Sequence, residues 1–254
     1  MTSSGILHVS QHSPVYHFVF EWLAYLVAGI IYRYQRVKTP IPIGFLDNLM
    51  LLSVTVFGAA AGGILMHTLE SWSWYSQLPL SQLVAGKSIL GAILGATIGT
   101  VIAKRIIGYP HPTGDAWVPA LVAGMCIGRI GCQVSGTWDM TYGIPTEMGW
   151  GWNYGDGILR YPTALLEIIG VALTWLVLRK ISWLPGNYFN AFLLAYCVLR
   201  FFIEFLKPPF GLAAEGTPPI DLFYGLTAIQ WGSLFGIGWM GYRFRNSSLH
   251  RKLI

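Results

Sequence analysis

Three basic side chains, Lys87, Arg129 and Arg200, fall within or at the edge of long apolar stretches, and three acids, Glu21, Glu167 and Glu204, stand at comparable positions. A charge at the centre of a spanning helix costs roughly 2.5–3.5 kcal/mol on insertion scales, so each of these is a functional candidate. Arg129 lies in Gly128-Arg129-Ile130-Gly131. Glycine on either side is expected to open the backbone there and expose amides. A guanidinium keeps its charge when buried, and its planar fork suits phosphate. Tyr196, Arg200 and Glu204 recur at i, i+4 and i+8 and share one helix face. Arg200 and Glu204 could neutralise each other, but Arg before Glu is the weaker helical order, which leaves room for another partner of Arg200. Two arginines facing one cavity would make a clamp for a phospholipid headgroup. For Lys87 and Glu70 the competing reading is snorkelling to a nearby interface.

The elements that must position these residues are helices in lipid. The chain has 254 residues, 54% hydrophobic and 11% charged, against about 25% charged in soluble domains. A spanning helix needs about 20 mostly apolar residues. Seven runs qualify, at roughly 14–33, 47–67, 84–104, 115–131, 162–180, 186–206 and 222–243. The expected fold is all-α: one polytopic transmembrane domain over 1–254, with an outer loop at about 132–161. The fourth run holds Pro119, Gly124, Gly128 and Gly131 and is expected to be broken or tilted. No basic residue precedes Arg33, so the first run does not read as a cleavable signal.

Loop charges set the orientation. Arg33, Arg36, Lys38, Lys104, Arg105, Arg179, Lys180, Arg243, Arg245, Arg251 and Lys252 fall on one side, and Arg160 and Lys207 on the other. The N-terminus is therefore expected outside and the C-terminus in the cytoplasm. The net charge of +5 follows this topology and is not a nucleic-acid footprint. In this arrangement Glu21, His67, Glu70, Lys87, Arg129, Glu167, Arg200, Glu204 and Gln230 share the outer leaflet, while the inner halves of the spans are almost free of ionisable groups. A proton or ion path would continue inward. A site acting on an outer-leaflet lipid would not.

Other features carry structural readings. Gly58 and Gly62, and Gly91, Gly95 and Gly99, recur every four residues and suit close helix packing. Cys126, Cys132 and Cys197 read as small buried residues. Trp138, Trp150, Trp152, Tyr154 and Tyr161 suit an aromatic belt or a roof over a lipid site. Gly86-Lys87-Ser88 lacks the earlier glycine and the strand of a P-loop. His67 and Glu70 lack a further ligand for a metal. His8, His12 and His17 are expected in the outer tail and interface. No metal or other cofactor is expected.

Gly128-Arg129-Ile130-Gly131, then Tyr161-Pro162-Thr163-Ala164-Leu165-Leu166-Glu167, then Tyr196 to Phe205 and Ala228-Ile229-Gln230 resemble, in order, the bacterial prolipoprotein diacylglyceryl transferase family. The resemblance spans all seven runs. It implies a multi-pass protein of the bacterial inner membrane that moves diacylglyceryl from phosphatidylglycerol to the lipobox cysteine of a preprolipoprotein, releasing glycerol phosphate. It implies that Arg129 and Arg200 match two functional arginines, and that Tyr196, Glu167, Glu204 and Gln230 match other substrate positions. There are departures. The family's His-Gly-Gly stretch is Ala85-Gly86-Lys87 to Gly91 here. Its Asn is Cys132, its nearby acid is Thr137, and the His before the Pro is Tyr161, a substrate-side candidate. Lys87 or His67 is the expected substitute for the missing base. Other readings are a related transferase using another anionic phospholipid or another acceptor, and a non-catalytic lipid-binding or transport protein.

Overall fold

The computed structural model describes residues 14–38, 43–79 and 86–250. His8, His12, Arg251 and Lys252 lie outside these residues. The described chain is mostly helical. Its long helices are α1 (Pro14–Lys38), α2 (Phe45–Glu70), α3 (Ile89–Ile106), α4 (Val118–Val134), α5 (Thr163–Leu178), α6 (Asn187–Ile203) and α7 (Ala228–His250). Five of the helical stretches are long and apolar enough to cross a membrane: those of α1, α2, α3, α4 with its leading turn, and α6 with its trailing turn. α5 is apolar but shorter. Trp22, Leu26 and Ile30 on α1 and Leu49, Val56 and Phe57 on α2 are exposed. In water such faces would be costly, whereas in hydrocarbon they are matched to their solvent.

The most intimate helix pair is α2 with α3, and it follows from glycine spacing. A Cβ on Gly58 or Gly62 would run into the carbonyl of Gly95 or Gly91, and one on Gly99 into the carbonyl of Val54. Backbone thus packs on backbone, and the Thr55 and Thr100 hydroxyls meet across the seam at 2.8 Å. α1 lies along α4, α4 on α5, α5 on α6, and α6 on α7. Leu90, Leu94, Val122, Val171, Phe192, Leu193 and Met240 fill the space between them.

Several expected boundaries shift. In the third run, expected from about 84, the described residues 86–88 are not helical and the helix begins at Ile89. Ser88 caps α3, its hydroxyl accepting from Gly91 N at 3.4 Å, so Lys87 precedes the helix. The fourth run is not broken. A 3-10 turn at Asp115–Trp117 leads into a continuous helix, because Pro119 sits in its first turn, where a missing N–H costs nothing. Nor do the glycines beside Arg129 open the backbone. Gly131 is small because Phe20 of α1 packs on it, and Gly124 faces Ala28. The last run opens with a hairpin of strands β3 (Leu222–Phe223) and β4 (Leu226–Thr227), turned by Tyr224 and Gly225 at positive φ, before α7 begins.

The segment between α4 and α5 holds a second hairpin, β1 (Trp152–Asn153) with β2 (Leu159–Arg160). Arg160 is fully buried and ties this segment down. Its Nε donates to Asp156 Oδ2 at 2.7 Å, its Nη1 to Leu212 O at 2.6 Å, and it lies 5.0 Å from the Tyr142 ring. Tyr142 OH in turn accepts from Ala214 N at 2.9 Å. The α4–α5 and α6–α7 connections therefore form one hydrogen-bonded layer over that end of the helices.

Candidate functional site

Beneath this layer, Glu167 on α5 is the hub of a buried charge cluster. Its Oε2 receives Arg129 Nη2 from α4 at 2.9 Å and Arg200 Nη1 from α6 at 3.2 Å. Its Oε1 receives the Tyr196 hydroxyl at 2.9 Å. Arg200 Nη2 also reaches Glu204 Oε2 at 2.9 Å. Arg200 thus pairs with the acid one turn on and also has a further partner, which the structure shows to be the Glu167 carboxylate from another helix.

Arg129, Tyr196, Glu167, Arg200 and Glu204 are all buried. Yet the Nε of Arg129, the Nε of Arg200 and the Oε1 of Glu204 have no hydrogen-bond partner among the described residues. Buried donors left open are costly unless something else takes them. Two guanidinium edges with open N–H groups are matched to the oxygens of an anion.

Lys207 joins this cluster, although the sequence placed it in an outer loop. It is buried, and the charges acting on it are those of Glu204, Arg200, Arg129 and Glu70. Burial pushes its ammonium below the usual lysine range, against the opposing pull of Glu204. A 3-10 turn over Glu204–Leu206 extends α6 and brings Lys207 to this position, its N–H donating to Glu204 O at 3.1 Å.

The other candidates fall elsewhere. Lys87 Nζ is paired with Glu21 Oε1 at 2.7 Å, and Glu21 also receives the Tyr25 hydroxyl at 2.6 Å. His67 Nε2 meets the Tyr75 hydroxyl at 2.9 Å, with its ring against Gly86. Gln230 sits at the start of α7 in a reciprocal cap. Its Oε1 accepts from Thr227 N at 3.0 Å, and its own N donates to Thr227 Oγ1 at 3.2 Å. The Tyr161 ring lies edge-on to Trp150 at 5.5 Å, and its backbone joins the outer layer through Ile144.

A group that the sequence did not bring together adjoins the cluster. His17 was expected at the interface, but its Nδ1 lies 2.6 Å from Asp139 Oδ1. Asp139 closes a 3-10 turn at Gly136–Asp139, between Gly136 and Met140 at positive φ. Its Oδ2 accepts from the Thr141 hydroxyl at 2.6 Å. Burial pushes the Asp139 carboxyl up, but His17 and Thr141 outweigh it and hold it below the usual carboxylate value. Cys132 completes the group, one turn beyond Arg129 on α4, its Sγ 3.8 Å from Arg129 Nη1. Thr137 does not carry the acid expected there. Asp139 puts one nearby.

Hydrocarbon-matched outer faces around a buried arginine–carboxylate cluster, capped by a hydrogen-bonded layer, define a helical membrane protein with a polar site under one end of its helices. Family comparison makes the class specific. A profile of the prolipoprotein diacylglyceryl transferase family matches residues 6–242. Proteins named phosphatidylglycerol–prolipoprotein diacylglyceryl transferase are similar over most of their length. That of Dehalococcoides mccartyi is 28% identical over 235 residues, 84% of this chain and 88% of its own. That of Oleidesulfovibrio alaskensis is 30% identical over 223 residues, 82% of this chain and 77% of its own. That of Chlorobaculum tepidum is 27% identical over 237 residues, 79% and 80% of the two chains. The chain belongs to the prolipoprotein diacylglyceryl transferase family.

Proposed function

We propose that the protein is a phosphatidylglycerol:prolipoprotein diacylglyceryl transferase of the bacterial inner membrane. It is one membrane domain of seven spans, with its N-terminus outside, its C-terminus in the cytoplasm and the loop from about 132 to 161 roofing the site. The observation that carries the site assignment is the convergence of two buried guanidiniums, each with an open Nε, on one carboxylate oxygen of Glu167. Glu167 and Tyr196 hold Arg129 and Arg200 in place, and Glu204 orients Arg200. The phosphodiester of phosphatidylglycerol binds across the two arginines with Lys207 as a third cation.

The lipobox thiolate attacks the glyceryl methylene carbon that bears the phosphate oxygen. The C–S bond forms as the C–O bond breaks, and the electron pair leaves with glycerol phosphate. The phosphate gains one negative charge, so arginines fixed in a dry site stabilise the transition state more than the bound lipid.

Purified protein in detergent, given phosphatidylglycerol and a lipobox peptide, is expected to yield diacylglyceryl-peptide by mass spectrometry. Arg129→Ala and Arg200→Ala should abolish it. Lipid turnover without peptide would point to another acceptor. Lipid binding without turnover in folded protein would leave a non-catalytic role.

A further inference from the structure

The proposed reaction needs a thiolate, and a free thiol of pKa about 8.5 is mostly protonated at neutral pH. Each candidate base has one partner in place. Lys87 is engaged by Glu21 and His67 by Tyr75. Beside Arg129 stands the group of His17, Cys132 and Asp139, drawn from α1, α4 and the turn after α4. One ligand-capable atom from each lies within 4.8 Å of the other two.

Their arrangement gathers one nitrogen, one sulfur and one oxygen donor in one place. His17 Nδ1 is buried and lies 2.6 Å from Asp139 Oδ1, an ion-pair contact that already brings the nitrogen and oxygen donors together. The surroundings are also in place. Thr141 holds the second oxygen of Asp139 at 2.6 Å. Glu21 Oε2 faces His17 Nε2 at 3.9 Å, and Lys87 and Tyr25 fix Glu21.

We propose that His17 Nδ1, Cys132 Sγ and Asp139 bind one zinc ion, and that its open fourth position takes the lipobox thiol as thiolate. The donor set is one nitrogen, one sulfur and one oxygen. That is borderline-soft and of the right number for a catalytic zinc, which keeps three protein ligands. Tetrahedral bonds of about 2.0–2.1 Å to nitrogen and oxygen place those atoms about 3.3 Å apart, so the His17–Asp139 contact opens by about 0.7 Å on binding. Two ligand charges neutralise the ion. Coordination deprotonates a thiol outright, and here the proton passes to water at the outer face. The Arg129 guanidinium, 3.8 Å from Cys132 Sγ and salt-bridged to Glu167, sets the thiolate next to the phosphate that leaves.

This role rests on the transferase reading, whereas the metal site itself does not. The test therefore begins without turnover. Wild-type protein in detergent, treated with Zn2+ and desalted, is expected to retain about one zinc per chain by elemental mass spectrometry. Co2+ in its place should give a sulfur-to-cobalt charge-transfer band that is lost in Cys132→Ser and unchanged in Cys126→Ala. A cysteine-containing lipobox peptide should intensify the band, and the same peptide with serine should not. Folded wild-type protein that retains no zinc and shows no cobalt band overturns the site. A cobalt band indifferent to the peptide, or full turnover by protein stripped of metal, overturns its role on the thiol. Absence of diacylglyceryl-peptide with both spectral responses intact would sink the transferase reading while the metal site stands.

Discussion

Arg129 and Arg200 lie on different helices, yet both close on the same oxygen of Glu167, at 2.9 and 3.2 Å. Like charges gathered in this way would repel without the shared carboxylate. Removing that carboxylate is therefore more damaging than its single charge implies. Glu167→Gln keeps the shape but leaves two buried guanidiniums short of counter-charge, a loss of about 3–5 kcal/mol for a broken buried pair. Glu167→Gln should lower the thermal midpoint in detergent, and bound phosphatidylglycerol should recover part of the loss by supplying a new anion. A variant as stable as wild type would mean that Glu167 is not the hub.

Arginine matters here for its geometry as well as its charge. Arg200 uses Nη1 on Glu167 and Nη2 on Glu204, and its Nε has no partner among the described residues. Lysine carries its three donors on one nitrogen and cannot reproduce the planar fork that reaches both carboxylates while Nε faces elsewhere. Arg200→Lys should fold, since the cluster keeps its charge. Its kcat should fall by about 10²–10³, the loss typical of one missing donor to a developing charge. Retention of more than about a tenth of wild-type kcat would exclude a transition-state role.

Much of this cluster is legible in the sequence, because lipid makes a buried charge expensive. Arg129, Glu167, Arg200 and Glu204 stand out from apolar runs, and the i, i+4 rule joins the last two. The α2–α3 seam is legible for a similar reason: glycine every fourth residue has few other uses in a helix. What the sequence conceals depends on how segments fold back. Lys207 sits just past an apolar run and reads as a loop residue, until the short turn over Glu204–Leu206 carries it inward. Asp139 and His17 meet only because α1 packs along α4 and the chain turns sharply at Gly136 and Met140. No periodicity reports that contact. The available signal was Asp139 itself, an acid a few residues past the Arg129 motif.

The α2–α3 seam makes a direct prediction. Gly95 has the Gly58 carbonyl where a side chain would begin, so Gly95→Leu must part the two helices. Overpacking of this kind costs about 1–3 kcal/mol, and more where backbone cannot yield. The variant should show a lower thermal midpoint, whereas Gly29→Leu, at a glycine with nothing within 4 Å, should not. Equal midpoints for the two variants would contradict the seam.

Gln230 separates a structural role from a substrate role. The family resemblance placed it among substrate positions, but its side chain is engaged with Thr227 in the cap of α7. Loss of a cap costs about 0.5–2 kcal/mol. Thr227→Ala and Gln230→Ala should therefore each lower stability, and the double variant should lose less than the sum, since the two bonds support one another. If Gln230 acts only through the cap, KM for phosphatidylglycerol should stay within about twofold of wild type, below 0.5 kcal/mol. A tenfold rise in KM without loss of stability would restore the substrate role.

Lys207 gives the site a pH dependence whose sign can be worked out. Burial sets its folded-state pKa below the free value of 10.5. The unfolded chain therefore holds more protons between the folded pKa and 10.5, and this lysine's contribution to stability rises with pH across that window. Phosphate binding runs the other way, because the third positive charge is lost as pH rises through the folded pKa. KM for phosphatidylglycerol should then climb on the alkaline side, below pH 10.5, while the protein remains folded. Lys207→Arg, which stays charged throughout, should flatten that climb. Measuring KM from about pH 7 to about pH 10 in both proteins decides the matter. Parallel curves would mean that Lys207 does not contribute to lipid binding.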